Sequence, residues 1–336
     1  MVLNRQIWNS LTEAQTQLPH ALLFAGQSGV GKRELADALA ARLLCEGDLQ
    51  AHQPACGSCP SCIMMANGQH PDFRLLQPDA AAESEEEGAG ADEGKKKASK
   101  QIRIQQIRDI EDFFHVGGHR GGARVCIIDP AETMNAITAN ALLKILEEPS
   151  ASFYFLMISH RWRRLLPTLL SRSRRIMFGR PDNAQAQGWL ADNKLAAQAK
   201  WLPFFGNAPL EVASAAQSGR LKALDALVAD LLKPAEPLAQ AARWETLVKT
   251  DSALSMDELV ATVQKWLFDL SCLAVGAPAR FIPHAALQQQ ALRISLPALM
   301  QAQKQVGQLR AWANHPLNPR LFLEDLCVRA FKPLSP

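Results

Sequence analysis

The sequence has no long hydrophobic run. None of its apolar stretches reaches the roughly 18 residues that a helix needs to cross a bilayer. Residues 1–20 carry polar side chains throughout and lack the apolar core of a secretory signal. These absences argue against a membrane-spanning or secreted protein, and we expect a cytoplasmic protein with no membrane partner.

A strong excess of charge of one sign is also missing. The formal net charge is only +3 over 336 residues, whereas proteins that bind nucleic acids usually show a clear basic excess or a basic stripe. The charge therefore does not by itself indicate a nucleic-acid-binding protein. The length, with 48% hydrophobic residues, is sufficient for two or three domains with their own cores.

Cysteine is present in an odd number, seven, which argues against a framework made only of disulfides. Three of the seven lie alone in apolar surroundings, and the other four form a close group: Cys45, Cys56, Cys59 and Cys62. In a cytosolic chain, C-x-x-C spacing favours a bound metal. Four thiolates complete a tetrahedral zinc site without an open position, which predicts a structural zinc ion. The neighbouring His52 and His70 are interpreted as ordinary surface histidines.

The first 180 residues alternate between short apolar runs and amphipathic segments. Strands are predicted over residues 20–25, 124–129, 153–159 and 175–178. Helices are predicted over residues 32–44, 102–114, 136–148 and 165–170. Strands that alternate with helices imply a parallel sheet flanked by helices, so the expected fold class is α/β for this part of the chain.

Two changes of composition divide the chain further. Residues 79–100 combine Glu and Lys runs with three glycines and no large apolar residue. We expect a disordered surface insertion there, with a partner-binding segment as the alternative. After Pro181 the sequence is rich in Ala, Leu and Gln and shows no alternating strand pattern. We predict a sheet domain over 1–179, a small helical domain over 180–219 and an all-α domain over 220–336.

A glycine-rich loop lies between the first predicted strand and helix. Gly26, Gly29 and Gly31 precede Lys32 in the order of a phosphate-binding loop, and the strand–loop–helix context is the one that this motif needs. Backbone N–H groups and the helix N-terminus favour phosphate there, and Lys32 can reach the terminal phosphates. The alternative is a glycine turn kept only for its shape. Binding of ATP or ADP by these residues, with Asp129 nearby, stays open.

Two groups that ATP hydrolysis requires are missing. The full motif ends in Ser or Thr, whose hydroxyl holds Mg²⁺, but this chain has Arg33, which has no lone pair to offer a cation. Asp129 ends a predicted strand near the metal position, and Pro130 follows it without a side-chain base. The next acid is Glu132. We predict that the chain does not turn over ATP efficiently.

A basic segment lies where the predicted sheet domain ends. Arg172 is its central candidate, because an arginine remains charged and can stabilise the charge that develops on a transferred phosphoryl group. Alone this signal is weak, since basic residues at a domain edge are usually solvated or paired with local carboxylates. Residues 160–164 are also basic, and could meet nucleic acid, a partner or only solvent.

Four features together resemble the clamp-loader AAA+ family of bacterial DNA polymerase III. They are the four-cysteine insertion after the loop helix and the segments 140–149 (NALLKILEEP), 165–173 (LLPTLLSRS) and 315–321 (HPLNPRL). The resemblance covers nearly the whole chain and is weakest over 79–100 and 182–291. Ser173 stands where the family motif has Cys, and Pro130 stands where active members have Glu.

The resemblance implies a RecA-like AAA+ domain, a helical lid and a helical collar that builds a five-subunit ring. It implies other clamp-loader subunits as partners, with the sliding clamp and primed DNA reached through the complex. It also implies that Arg172 acts in trans on ATP held by an adjacent motor subunit. Two other readings compete: a competent motor ATPase in which Glu132 replaces the missing base, and a zinc-stabilised DNA-binding protein that acts alone.

Overall fold

The protein is described by a computed structural model that covers residues 2–13, 18–79, 99, 101–115, 122–148, 152–250, 254–313 and 318–334. The chain divides into two compact units, Met1–Pro181 and Asp182–Pro336. The separation of the second part into 180–219 and 220–336 stays a prediction. Most of the insertion predicted over 79–100, and residues 315–317 of the last family segment, lie outside the described residues.

The first unit is built around a parallel sheet, which confirms the expected fold class. Its five strands are β1 (Ala21–Ala25), β2 (Phe73–Leu76), β3 (Arg124–Ile128), β4 (Phe153–Ser159) and β5 (Arg174–Met177). Their order across the sheet is β2-β3-β4-β1-β5, and every neighbouring pair is parallel. The central strands are buried along their whole length or nearly so, because helices cover both faces of such a sheet.

Six α-helices accompany these strands within the described residues. They are α1 (Arg5–Glu13), α2 (Lys32–Leu44), α3 (Pro60–Ala66), α4 (Ile104–His115), α5 (Ala136–Glu147) and α6 (Pro167–Ser171). Asn135 caps α5 by accepting from the Thr138 backbone N–H at 2.8 Å, which satisfies one of the free donors of the first turn. Short 3-10 turns at Ala131–Thr133 and Trp162–Arg164 follow β3 and β4.

The second unit is helical, as its composition predicts. Its helices are α7 (Asn183–Asp192), α8 (Pro209–Gln217), α9 (Arg220–Leu232), α10 (Pro237–Thr250), α11 (Met256–Ala274), α12 (Ala285–Ala291), α13 (Leu296–Leu309) and α14 (Pro319–Phe331). Capping boxes begin α7 at Asp182 and α11 at Ser255. Trp244 and Trp266 are fully buried, and each packs against Phe331. One hydrophobic cluster extends from Ala186 to Phe331.

A buried carboxylate and a half-buried ammonium group make long-range contacts in the second unit. The carboxylate of Asp269, which is 0% exposed, accepts hydrogen bonds from the backbone N–H groups of Arg280, Phe281 and Ile282. The ammonium of Lys265 donates to the carbonyl of Phe204 at 2.9 Å and lies 3.6 Å from the centroid of that phenyl ring. Burial, together with the positive charge of the nearby Arg310, lowers the pKa of Lys265 to about 8.

Membrane crossing finds no support in this fold. Among the helices that the structure describes, none combines the length and the apolar character that a bilayer span requires.

Candidate functional site

The glycine loop joins the carboxyl end of β1 to the N-terminus of α2. Gly29 and Gly31 adopt left-handed backbone conformations, with φ of 72° and 90°, which glycine tolerates without a steric penalty. At Gly26 a Cβ atom would lie 2.7 Å from the carbonyl oxygen of Phe178. The loop therefore requires glycine at three positions. The fold places it at the carboxyl ends of the parallel strands, where α/β proteins bind ligands.

Lys32 points into its own loop. Its side chain is almost fully buried, and Nζ donates to the carbonyl oxygens of Gly26 at 2.9 Å and Gln27 at 2.6 Å. A phosphate in the loop would have to draw the ammonium away from these two acceptors. The structure thus positions the predicted phosphate-binding residues Gly26, Gly29, Gly31 and Lys32 together, in a loop that is internally hydrogen-bonded.

Arg33 lies where an active loop would hold magnesium. Its NH1 donates to Oδ2 of Asp129 at 3.1 Å, and its Nε contacts both carboxylate oxygens of Asp37 at 3.0 Å. Burial by itself would lower the pKa of the guanidinium, but the carboxylates of Asp37 and Asp129 raise it above its ordinary value. A fixed organic cation thus neutralises the acid at the end of β3. The sequence placed both residues at this site, but it did not reveal that they pair.

The Glu132 carboxylate accepts hydrogen bonds from the backbone. Its Oε1 accepts from the N–H groups of His160 at 3.0 Å and Arg161 at 3.1 Å, which joins the turn after β3 to the turn after β4. A carboxylate in this position acts as a brace between two strand ends. It is not directed at the glycine loop by any contact in the described residues.

The four clustered cysteines converge in space. Their sulfur atoms all lie within 4.8 Å of one another, and the Cys45–Cys59 and Cys56–Cys62 sulfur pairs are separated by 3.9 and 3.8 Å. A tetrahedron with Zn–S bonds of about 2.3 Å has edges of about 3.8 Å. The donor set and its dimensions therefore fit a zinc ion, as the spacing predicts.

Backbone donors surround this cluster. The N–H groups of Ser58 and Cys59 lower the pKa of the Cys56 thiol to about 6, which favours the thiolate that binds metal. Burial raises the pKa of Cys62 to about 12, so that this thiol would lose its proton when the metal binds. Four thiolates fill a tetrahedral coordination sphere, so the cluster has the features of a structural site.

His70 is buried beside the helix that carries Cys62, so its assignment as a surface histidine is wrong. The ring is only 4% exposed, its Nδ1 accepts from the Asp72 backbone N–H at 3.0 Å, and its Nε2 lies 3.1 Å from Oγ of Ser61. Ser61 in turn donates to Glu46 at 2.8 Å. These contacts connect α3, which carries Cys62, to the start of β2. His52 is exposed, as expected.

Arg172 ends α6 at the surface of the unit. Its side chain is 38% exposed, NH2 lies 2.6 Å from Oε1 of Glu147, and NH1 donates to the Thr168 carbonyl at 3.3 Å. Glu147 is the last residue of α5 and is itself 51% exposed. An ion pair that is open to solvent contributes at most about 1 kcal/mol. The guanidinium is therefore held loosely and can exchange this carboxylate for another anion.

A parallel sheet of this strand order, with a glycine loop after β1 and an acid after β3, defines a P-loop type of nucleotide fold joined here to a helical unit and a four-cysteine module. Residues 4–182 match the family model described as "DNA polymerase III, delta subunit". The chain belongs to this family, as a clamp-loader subunit of the delta-prime type.

Individual relatives agree with this assignment. The delta-prime subunit of DNA polymerase III from Pseudomonas aeruginosa is 38% identical over 208 residues, which are 61% of this chain and 57% of the relative. The delta-prime subunit from Escherichia coli is 33% identical over 172 residues, 51% of this chain and 46% of the relative. The tau subunit of Escherichia coli is 32% identical over 156 residues, 46% of this chain and 21% of the relative. The chain spans about half the length of the delta-prime relatives.

Proposed function

We propose that the chain is a non-motor subunit of the DNA polymerase III clamp loader, which supplies Arg172 in trans to ATP on a neighbouring motor subunit. The observation that carries the non-motor part is the Arg33–Asp129 pair, because a guanidinium occupies the acid that would otherwise bind Mg²⁺. Without the metal ligand and without a base after Asp129, the chain's own loop is poorly equipped for hydrolysis.

The exposure of Arg172 supports the role in trans. Its only ion-pair partner within the described residues is the exposed Glu147, and a partly solvated pair is easily replaced by a polyphosphate. An arginine that reaches a neighbour's γ-phosphate stabilises the charge of the transition state, and it makes hydrolysis depend on assembly. The other loader subunits, in a five-subunit ring, the sliding clamp and primed DNA are the partners of this proposal.

The remaining parts of the chain fit a stationary subunit. Cys45, Cys56, Cys59 and Cys62 would hold zinc for the stability of the first unit. The helical second unit would provide the lid and the collar through which subunits associate. Residual binding of ATP or ADP to the glycine loop is part of the proposal only as occupancy without turnover.

The test compares Arg172→Ala with Arg180→Ala in loader assemblies reconstituted from purified full-length subunits. Arg180 is also exposed and lies in the same unit, so it controls for loss of one surface charge. Arginine fingers contribute on the order of 10³–10⁵ in rate in GTPases. With several sites in a loader, we expect Arg172→Ala to lower ATP turnover at least severalfold, with assembly unchanged on size-exclusion chromatography.

Equal ATP turnover by the Arg172→Ala and Arg180→Ala assemblies would reject the trans role. Brisk ATP hydrolysis by the purified chain alone would reject the non-motor role and favour the motor reading instead.

A further inference from the structure

The N-terminal end of α1 contacts the glycine loop. Asn4 lies in the 3-10 turn Val2–Asn4 that leads into α1, and its side-chain Nδ2 donates to the carbonyl oxygen of Val30 at 2.8 Å. A second, longer contact reaches the carbonyl oxygen of Gly31 at 3.5 Å. A Cβ atom at Gly31 would lie 2.6 Å from Nδ2 of Asn4. The Asn4 carboxamide therefore fits against the loop because residue 31 has no side chain.

These contacts set the direction of donors in the loop. In a trans peptide the C=O of one residue and the N–H of the next residue point in opposite directions. Because Asn4 holds the carbonyl groups of Val30 and Gly31, the N–H groups of Gly31 and Lys32 are directed away from it. A glycine loop binds phosphate through such N–H groups. Asn4 is thus a positioning residue for the glycine loop.

The other part of α1 contacts a segment between two of the clustered cysteines. We call this segment, residues 46–55, the zinc loop, because it joins Cys45 to Cys56. The indole of Trp8 is 4% exposed, and its Nε1 donates to the carbonyl oxygen of His52 at 2.8 Å. A buried indole N–H needs an acceptor, so the position of α1 depends on where the zinc loop places this carbonyl group.

Contacts from two helices hold the zinc loop in shape. His52 has a φ of 65°, in the left-handed region that residues with a Cβ atom rarely adopt, and such a conformation persists where surrounding contacts impose it. Its Nδ1 lies 3.2 Å from the hydroxyl of Thr12 in α1. Arg42 of α2, which is 2% exposed, donates to the carbonyl oxygens of Gln50 at 3.1 Å and of Gln53.

We propose that α1 couples the zinc loop to the glycine loop, with Trp8 and Asn4 as the two points of contact. Zinc bound by the four cysteines would fix both ends of the zinc loop, so that the His52 carbonyl group stays within reach of the Trp8 indole. Such a coupling is carried by a contiguous series of hydrogen bonds and acts in both directions. The inference rests on the zinc part of the proposed function and is independent of Arg172.

A second connection joins the same two loops. Helix α2 begins at Lys32 and ends beside Cys45, so a displacement at the cysteines has a route to the glycine loop that does not involve α1. Variants of α1 that leave α2 unchanged distinguish the two routes.

The test measures amide hydrogen exchange of the full-length chain by mass spectrometry, with zinc bound and after its removal by a chelator. The reporter is the segment 26–35. In this segment the Gly26 N–H donates to the Ser159 carbonyl, and the Leu35 N–H donates to the Gly31 carbonyl, both at 3.2 Å. Removal of zinc from the wild type should speed exchange of the segment about three- to tenfold, as expected for the loss of one hydrogen bond. Exchange in β3 and β4 should rise less.

Asn4→Ala and Trp8→Phe each remove one point of contact. Both variants should retain zinc and should exchange in segment 26–35 about three- to tenfold faster than the wild type while zinc is bound. The chelator should then have little further effect. Trp266→Phe is the matched control, because this indole is also buried and donates to Oε1 of Gln290 at 3.2 Å, but in the second unit. The control should keep the full response to zinc removal.

A full response to zinc removal in both Asn4→Ala and Trp8→Phe would overturn the proposal in favour of the route through α2. An equal rise in segment 26–35, β3 and β4 would overturn it in favour of a general loosening of the first unit. Unchanged exchange of segment 26–35 in the wild type, with zinc loss confirmed by native mass spectrometry, would show that the loops are not coupled. A wild-type chain that binds no zinc would overturn the zinc part of the proposed function as well, so the two failures are distinguishable.

Discussion

The Arg33 guanidinium donates to Oδ2 of Asp129 at 3.1 Å, and this contact joins positions 96 residues apart. In an active phosphate-binding loop the same two positions would hold a hydroxyl and a carboxylate around a metal ion. Here a side chain brings its own positive charge to the acid. The negative charge of Asp129 is therefore balanced by the Arg33 guanidinium without magnesium.

Arg33→Thr should restore a response to magnesium. The threonine hydroxyl and the released Asp129 carboxylate provide oxygen ligands of the kind that Mg²⁺ prefers. We expect Mg²⁺ with ATP to raise the melting temperature of the variant, by about 2–4 °C for each 1 kcal/mol of binding. No such Mg²⁺-dependent shift is expected for the wild type.

The double variant R33T/D129N is the control, because it keeps the hydroxyl but removes the metal-binding charge. A Mg²⁺-dependent shift that survives in this double variant, or that is already present in the wild type, would contradict the interpretation of Arg33 as a replacement for the metal.

The variant Glu132→Gln distinguishes a structural role of Glu132, as a hydrogen-bond acceptor, from a role as a catalytic base. Glutamine retains an oxygen that can accept from the His160 and Arg161 N–H groups, so stability and the ATP turnover of the assembly should both stay near wild type. Glu132→Ala removes both hydrogen bonds at an exposed site, where water can replace the acceptor, and should cost about 1 kcal/mol in urea unfolding. If Glu132→Gln instead abolished ATP turnover while folding normally, the motor reading would be supported.

Cys59→Ala should release zinc and loosen the first unit. Three thiolates bind zinc less tightly than four, and metal affinity is part of the folding free energy of such a module. We expect zinc content, measured by mass spectrometry of the native protein, to fall from one ion per chain towards zero. The melting temperature should fall in parallel.

Cys272→Ala is the matched control, because this cysteine lies half-buried in the second unit and outside the cluster. It should retain the metal. Full zinc content in the Cys59→Ala protein would show that the four sulfurs do not act together.

Glu147→Gln should strengthen the hold of Arg172 on a neighbour. The wild-type pair must open before the guanidinium can act elsewhere, and an exposed pair is worth up to about 1 kcal/mol. The variant should therefore raise the affinity of the chain for its loader partners in the presence of ATP, by at most about fivefold. The gain in affinity should disappear when Arg172 is also replaced by alanine. If the gain persisted in that double variant, it would not depend on release of Arg172 from Glu147.

Lys265 predicts a pH dependence of stability above neutrality. The folded-state pKa is about 8 and the ordinary value is 10.5, so between these pH values the unfolded chain binds more protons than the folded chain. The free energy of unfolding should therefore rise as pH increases from about 8 to 10.5. The difference from Lys265→Met, measured by urea unfolding, isolates this group from cysteine and tyrosine titration. A wild-type curve parallel to that of the variant would refute the assignment.

Much of the fold follows from short sequence patterns. The runs that became β1, β3 and β4 are continuous and apolar, as strands buried on both faces must be. β2 escapes this criterion because it has only four residues, lies at the edge of the sheet and carries Arg74, whose guanidinium covers the ring of Phe113. The cysteine spacing likewise predicts the cluster of four sulfur atoms, because the four cysteines lie close together in the sequence.

Long-range pairs were beyond the reach of these patterns. Arg33 and Asp129 meet only because α2 and β3 are adjacent, and Arg172 meets Glu147 only because α6 returns to the end of α5. Neither pair follows a local period. His70 was misassigned for a similar reason, since its burial depends on the contact of α3 with the start of β2.

The outer strand β5 begins with two exposed arginines, and among the described strands it has a hydrogen-bonded neighbour on one side only. An exposed edge strand of this kind can pair with a strand of a second molecule and so begin aggregation. Two identical edge strands that approach each other must bring four like charges together before any main-chain bond can form. The guanidinium groups of Arg174 and Arg175 thus oppose the association of identical copies through this strand.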